Sequence, residues 1–229
     1  DLLIHCAALT PYKSKMSKKI MKLNFQGLTK ILHSKSKFKA IILLSTMSVY
    51  GKINSNIVSE KTKKNKIDYY GKSKIYMENY LSKFCKKNKV DYLILRLPGV
   101  IGNFISDNNF LNNMIKNFSK NNKVIYKNPK SYFNNVIHTD TISKISEQVI
   151  KSKNRKFINQ IFNMSSTKPI KLKKIIFYLK KKLKSKSEII ENKTDRSFHI
   201  STKKCLKYRL KIISTIASIN KTLKYINNI

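Results

Sequence analysis

Three unbroken apolar runs stand out in a chain otherwise rich in lysine and asparagine: Leu2-Leu3-Ile4, Ala40-Ile41-Ile42-Leu43-Leu44 and Tyr92-Leu93-Ile94-Leu95. Each exits into small, hydroxyl or turn-forming residues: His5-Cys6-Ala7-Ala8, Ser45-Thr46 and Pro98-Gly99. A continuous apolar run of this length reads as a parallel strand buried on both faces. In open α/β sheets, ligands bind at the carboxyl ends of such strands. Further strands are predicted over residues 160–164 and, briefly, at 189–190. Helical spacing of apolar groups predicts helices over residues 15–33, 69–86, 139–151, 170–184 and 212–226. In the first of these helices, Ile20, Leu23, Leu28, Ile31 and Leu32 are expected to be buried. Gly27 lies inside it, where glycine costs stability, and contact with the next helix is the expected reason. Thr139 or Asp140 is placed to cap the third helix. Leu172, Ile175, Ile176, Leu179 and Leu183 mark the buried side of the fourth, whose lysine run reads as a solvated face. Residues 52–68 are polar and read as a surface loop. Strands alternating with helices give an α/β class.

At 229 residues the chain is long enough to bury a real core. Its formal net charge is +38, from 49 Lys+Arg against 11 Asp+Glu. Such a balance ordinarily suggests nucleic acid or an anionic membrane. The lysines, however, are spread over the whole length, and only four of the basic residues are arginines, the better bidentate readers of phosphate and guanine. Abundant Lys, Asn and Ile together also fit a coding bias toward AT-rich codons. Cys6, Cys85 and Cys205 are widely separated and His5, His33, His138 and His199 show no ligand spacing, so neither a zinc site nor a redox pair is visible. The cysteines fit a reducing cytoplasm. No apolar run reaches the length of a membrane span.

The stretch Tyr69-Tyr70-Gly71-Lys72-Ser73-Lys74 changes the picture. On a helix, Tyr70 and Lys74 lie on one face, a turn apart. A free phenol titrates near about 10, too high for a base at neutral pH. An adjacent cation favours the phenolate, and a phenol tuned that way is a usable acid/base for a sugar or alcohol hydroxyl. In a chain so rich in lysine the bare pattern also fits an ordinary surface helix.

Five segments in order carry a resemblance: His5-Cys6-Ala7-Ala8, Asn24-Phe25-Gln26-Gly27-Leu28, Ser45 through Gly51 with its Val49-Tyr50-Gly51, Tyr70 through Lys74, and Leu95-Arg96 through Gly102. Together they resemble the extended short-chain dehydrogenase/reductase family, in its NAD-dependent sugar epimerase/dehydratase branch, similar to UDP-glucose/galactose 4-epimerases. The resemblance implies a Rossmann-like, doubly wound parallel sheet with a small C-terminal substrate-binding lobe. Residues 1–98 would form the partial NAD(P)-binding domain, and 99–229 the lobe together with the last Rossmann elements. It implies Tyr70 as general acid/base, Lys74 as the cation that tunes it and binds the nicotinamide ribose, and Thr46 as the group on the reacting hydroxyl. Cys6, Ala7, Ala8, Asn24, Ser45, Tyr70, Lys74 and Pro98 would border the cofactor, NAD or NADP with NAD favoured. Thr46, Gly99, Asn109, Phe110, Asn134 and Arg196 would border a nucleotide sugar. The resemblance leaves room for a homodimer in the complete enzyme, and implies no metal and no specific nucleic acid.

Several positions depart from the family pattern. Met47-Ser48 stand where dehydratases carry an acidic pair, so epimerisation or reduction is favoured over loss of water. Asn134 replaces an arginine that grips the nucleotide diphosphate, and asparagine carries no charge for that task. Arg196 is an alternative clamp, or a surface arginine. The glycine-rich turn that seats the cofactor pyrophosphate is not found among the five glycines, Gly27, Gly51, Gly71, Gly99 and Gly102. The chain therefore reads as opening at the family's fourth strand, as a fragment or remnant expected to bind NAD poorly by itself, to be inactive and to self-associate. The competing reading is a non-catalytic polycation that binds nucleic acid or anionic surfaces non-specifically.

Overall fold

A computed structural model describes residues 1–11, 17–35, 37–103, 109–151, 158–192 and 197–226. The chain runs through β1 (Leu2–His5), α1 (Lys18–Leu32), β2 (Ala40–Thr46), a 3-10 turn (Met47–Tyr50), β3 (Ile57–Val58), α2 (Tyr69–Asn88) and β4 (Asp91–Leu97). It continues through β5 (Gly99–Ile101), α3 (Phe110–Ser119), β6 (Val124–Lys127), β7 (Tyr132–Phe133), β8 (Val136–His138), α4 (Thr139–Lys151) and β9 (Gln160–Asn163). The remainder is β10 (Ile170–Lys171), α5 (Leu172–Lys182), β11 (Ile189–Asn192), β12 (His199–Ile200), α6 (Lys203–Lys207) and α7 (Thr215–Ile226). Two compact units divide it: Asp1–Ile53, Glu60–Leu97 and Ser146–Met164 form one, and Asn54–Ser59, Pro98–Ile145 and Ser165–Ile229 the other.

The first unit is the expected α/β layer. Its sheet has the order β1-β2-β4-β9, and every pairing is parallel. Parallel neighbours need crossovers, and α1 and α2 supply two of them. Ile41, Leu43 and Ile94 pack with Leu28 and Leu32 of α1 and Met77, Leu81 and Cys85 of α2. Their alternates Ile42, Leu93 and Leu95 are buried as well, which explains why these strands read as unbroken apolar runs.

Three expectations need correction, two of them in this unit. Leu23 is exposed, and Ile20 and Ile31 are only half-buried. The inward stripe of α1 is Asn24, Leu28 and Leu32, because the Asn24 amide is spent on the backbone: it accepts from Leu9 N–H at 2.8 Å and donates to the Leu9 carbonyl at 3.0 Å. A polar residue thereby takes a core-facing position that the periodicity assigns to leucine. A methyl group added at Gly27 would meet no atom of another element within 4 Å among the described residues, so the expected contact with the next helix is not found there. The loop over 52–68 contains β3, which pairs with β12, and Gly51 bridges to Asn65.

Two glycines are required by geometry. Gly51 ends the 3-10 turn at φ +63°, and a Cβ there would lie 2.1 Å from the Asn65 carbonyl oxygen. Gly71, in the first turn of α2, would place a Cβ 2.3 Å from the Ser48 carbonyl oxygen. Its missing side chain lets the start of α2 lie directly on the turn that follows β2. Asp68 caps this helix, accepting the Gly71 N–H at 2.7 Å.

The second unit is built from short strand pairs and helices. β5 pairs with β8 and β6 with β11, both parallel, and β7 pairs antiparallel with β10. Its core joins Leu111, Ile115 and Phe118 of α3, Ile175, Ile176 and Leu179 of α5, Ile219 and Leu223 of α7, and Val124 and Val136 from the strands. The predicted helix over 170–184 is shorter by one short strand, because Ile170–Lys171 pairs with β7. At the centre of the unit, the fully buried Asn134 donates to the carbonyls of Ser166 (3.0 Å) and Ile200 (2.8 Å) and accepts from Ile200 N–H at 2.8 Å. Among the described residues, no helix is long and apolar enough to cross a membrane.

The two helical glycines of the first unit should respond with opposite signs. Gly71→Ala drives a methyl into backbone and is expected to destabilise by about 1–3 kcal/mol. Gly27→Ala faces open space and should stabilise by about 0.5–1 kcal/mol. Urea unfolding of both variants checks this, and equal effects would contradict the close approach of α2 to the 3-10 turn.

Candidate active site

β2 delivers Thr46 at its carboxyl end, and the 3-10 turn follows at once. Thr46 caps that turn: its hydroxyl accepts the Ser48 N–H and donates to Ser48 Oγ, each at 3.2 Å. Because Gly71 rests on the Ser48 carbonyl, the first turn of α2 is held against this strand end. Tyr70, half-buried, stands in that first turn. Lys74, one turn on, is 2 % exposed and donates from Nζ to the Leu44 carbonyl at 3.0 Å, two residues before Thr46. The fold thus brings Thr46, Tyr70 and Lys74 to one corner of the first unit.

Lys74 is an unusual lysine. Burial pushes its ammonium down to about 8, opposed by charge interactions with Cys6 and Glu78. At neutral pH it therefore remains a cation, though one close to giving up its proton. His5 lies nearby at the end of β1 and is 4 % exposed. Burial, and then the Lys74 charge, hold its imidazole below the usual range, and its buried Nε2 has no hydrogen-bond partner. Cys6 and Ala7 are exposed and Ala8 is half-buried just past β1. These small residues beyond a parallel strand, with an ammonium that has given one of its three hydrogens to Leu44, fit the nicotinamide-ribose end of a dinucleotide.

A buried ionic network underlies this corner, and the sequence reading does not include it. Arg96 in β4 forms a two-pronged pair with Glu78 in α2, with Nε to Oε1 at 3.0 Å and Nη2 to Oε2 at 2.7 Å. Glu78 is 2 % exposed and Arg96 4 %. Ser45 donates to Glu78 Oε1 at 2.5 Å, so its hydroxyl points to the carboxylate. Arg96 Nη1 also donates to the Tyr50 hydroxyl at 2.8 Å, which donates in turn to Asn163 Oδ1 at 2.8 Å. Asn163 N–H donates to Glu60 Oε1 at 2.9 Å. Burial alone would lower the Arg96 pKa, but the hydrogen bonds and charge of Glu78 outweigh it and hold it above the usual value. Burial raises the Tyr50 phenol, against the opposing charge of Arg96. The signals in the sequence are a lone arginine inside an apolar strand and a glutamate on the inward stripe of α2, with Lys74, Met77 and Leu81.

In the second unit the expected substrate residues divide. Gly99 and Asn109 are neighbours: a Cβ on Gly99 would lie 3.7 Å from Asn109 Cβ and 3.3 Å from the Asn135 carbonyl oxygen. Asn109 caps α3, accepting from Asn112 N–H at 2.9 Å and donating to the Val100 carbonyl at 2.8 Å. Phe110 packs against Phe133, ring centres 5.8 Å apart, and both border a cleft of about 480 Å³ shared with Tyr132, Lys127, Asn135 and Phe198. Asn134 has both amide hydrogens committed to backbone carbonyls. Pro98 is half-buried where the chain enters this unit. Arg196 lies outside the described residues. Among the described residues, no cluster of three His, Cys, Asp or Glu is placed to hold a metal ion.

Solved structures share this fold. The UDP-glucose 4-epimerase of Thermotoga maritima, solved with UDP-glucose, superposes with a TM-score of 0.79 at 18% identity, over 99% of this chain and 77% of that one. The UDP-glucuronic acid 4-epimerase of Bacillus cereus, solved with UDP-glucuronic acid and NAD, gives 0.78 at 19% identity, over 100% and 76%. The structure of RMD from Pseudomonas aeruginosa with NADPH gives 0.80 at 14% identity, over 98% and 80%. At such identities the likeness is one of fold. No curated protein matches the sequence. The model of one family, described as the NAD dependent epimerase/dehydratase family, matches residues 1–165. With that match over most of its length, the chain belongs to the NAD dependent epimerase/dehydratase family.

Proposed function

We propose that this chain carries the reaction centre of a nucleotide-sugar epimerase or reductase, with Tyr70 as general acid/base, Lys74 as its cationic partner and Thr46 as the group that orients the reacting hydroxyl. The observation that carries this reading is the buried Lys74 ammonium, tied to the Leu44 carbonyl beneath Thr46 and one helical turn from Tyr70. A bound nicotinamide cofactor, for which NAD is favoured, would accept or return hydride at a sugar carbon. The protein's own residues handle the proton. Tyr70 takes it from the sugar hydroxyl or gives it back. Lys74 places a positive charge beside the phenol, which favours its ionised form. The Thr46 hydroxyl both donates and accepts, so it can hold the sugar oxygen in line with Tyr70. Met47 and Ser48 offer no carboxyl after Thr46, which supports epimerisation or reduction over loss of water.

Within the second unit, the aromatic cleft is proposed to bind a nucleotide base. Phe110, Tyr132, Phe133 and Phe198 offer ring faces to a base, and Lys127 is the charged residue that borders it among the described residues. The neutral, fully committed Asn134 is not suited to gripping a diphosphate. Charge for the phosphates would come from Lys127, or from Arg196.

Two measurements check this reading. In the active enzyme, Tyr70→Phe keeps the ring and removes the hydroxyl, so NAD affinity should persist while turnover of a UDP-sugar falls roughly 100-fold or more. Near-normal turnover would contradict the assignment of Tyr70. The polycation reading, raised by the net charge of +38, instead forecasts steeply salt-dependent binding and no response to cofactor. With lysines dispersed and arginines scarce, duplex DNA binding is expected to be weak, independent of sequence and lost at physiological salt. Sequence-selective binding that survives there, seen by titrating labelled duplexes over a salt series, would overturn the enzyme reading.

A further inference from the structure

We propose that Glu78 is the positioning residue of the reaction centre: its carboxylate fixes the strand end that carries Thr46 and keeps the neighbouring Lys74 charged inside a dry site. The proposal rests on the acid/base reading of Tyr70 and Lys74. Three contacts place the carboxylate. Arg96 grips it through Nε and Nη2. The Ser45 hydroxyl donates to it at 2.5 Å. Glu78 also stands one helical turn after Lys74, on the same inward stripe of α2.

The grip on Ser45 acts on Thr46. Successive side chains of a strand point to opposite faces. Drawing Ser45 onto Glu78 therefore commits Thr46, the next residue, to the other face at the end of β2. Arg96 lies opposite Ser45 in the parallel register of β2 and β4, so one carboxylate holds both strand ends and the helix bearing Tyr70 and Lys74. Tyr50 extends the hold to the 3-10 turn through Arg96 Nη1.

The second effect is electrostatic. Lys74 donates to the Leu44 carbonyl of β2, and its charge interacts with His5 at the end of β1, with Cys6 just after it and with Glu78 on its own helix, while Arg96 of β4 is bound to the same carboxylate. Glu78 is the one carboxylate among them. Desolvation favours the neutral amine, and Glu78 is among the charges that oppose it. Cys6 opposes it first and Glu78 second, so removing the Glu78 charge would move Lys74 toward the neutral amine and weaken the positive charge offered to Tyr70.

The titration of Lys74 tests this directly, in protein labelled with carbon-13 at the lysine ε position. Its NMR signal is assigned by its disappearance in Lys74→Arg. Glu78→Gln alone strands a buried guanidinium and is prone to unfold, so the decisive variant pairs Glu78→Gln with Arg96→Met, which removes the buried pair together. In the native chain the midpoint should lie at about 8. In the folded double variant it should fall, with the acid dissociation constant rising about threefold or more. Ser45→Ala, which keeps the carboxylate, should leave it in place. In the active enzyme, the alkaline limb of kcat should move to lower pH with the double variant. An unchanged or raised Lys74 midpoint in the folded double variant overturns the proposal. The titration needs neither sugar nor cofactor, so it can fail while the epimerase or reductase reading stands, and the reverse also holds.

Discussion

Glu78 and Arg96 lie side by side in the first unit with almost no access to water. A buried pair of this kind yields little net stability, because desolving both ions offsets most of their attraction. Losing one partner is another matter, costing roughly 3–5 kcal/mol in comparable pairs. The structure meets that constraint by satisfying the pair from several directions. Ser45 supplements the carboxylate, Tyr50 takes the remaining guanidinium edge, and Asn163 and Glu60 continue the chain of hydrogen bonds. These partners come from β2, the 3-10 turn, β9 and the segment after β3. The pair therefore ties the strand ends to the middle of α2, and the proposed catalytic side chains stand on those elements.

The apolar packing of this unit is generic by comparison. Leu28, Leu81, Ile41 and Ile94 would fill a helix-on-sheet layer in many arrangements. What specifies the corner is polar satisfaction and close approach. Gly71 lets α2 touch the Ser48 carbonyl, and Asn24 ties the segment after β1 to α1 through Leu9. In the second unit Asn134 serves the same purpose, joining the segments around Ser166 and Ile200 with a neutral amide. That amide stands where the family resemblance leads one to expect an arginine. The amide is used up within the fold, on the Ser166 and Ile200 backbone.

Much of this was legible in the sequence. The strands β1, β2 and β4 follow from unbroken apolar runs, and α2 from its spacing, because local periodicity reports which face is buried. The Tyr70–Lys74 pair, and the place of Thr46 at a strand end, follow from the same spacing. The ionic network was harder to read. Glu78, Arg96, Tyr50 and Asn163 are far apart along the chain, and nothing local states that they meet. Leu23 and Gly27 misled for a related reason. Their surroundings depend on how Asn24 orients α1, which the apolar pattern alone does not encode. Apart from β11, expected briefly at 189–190, the short strands of the second unit, two to four residues each, carry too little pattern to be read as elements. α3, which Asn109 caps, has a clear apolar side once its start is known.

Tyr70 and Lys74 are proposed to manage the proton of a hydride transfer between a sugar and a nicotinamide. Rapid mixing of the active enzyme with NAD and a UDP-sugar, followed by the absorbance of reduced nicotinamide, tests it most directly. A reduced-nicotinamide signal is expected with the native protein and should be largely lost in Tyr70→Phe, although NAD still binds. Conversion of the sugar with no reduced nicotinamide formed, or an undiminished signal in Tyr70→Phe, would contradict it.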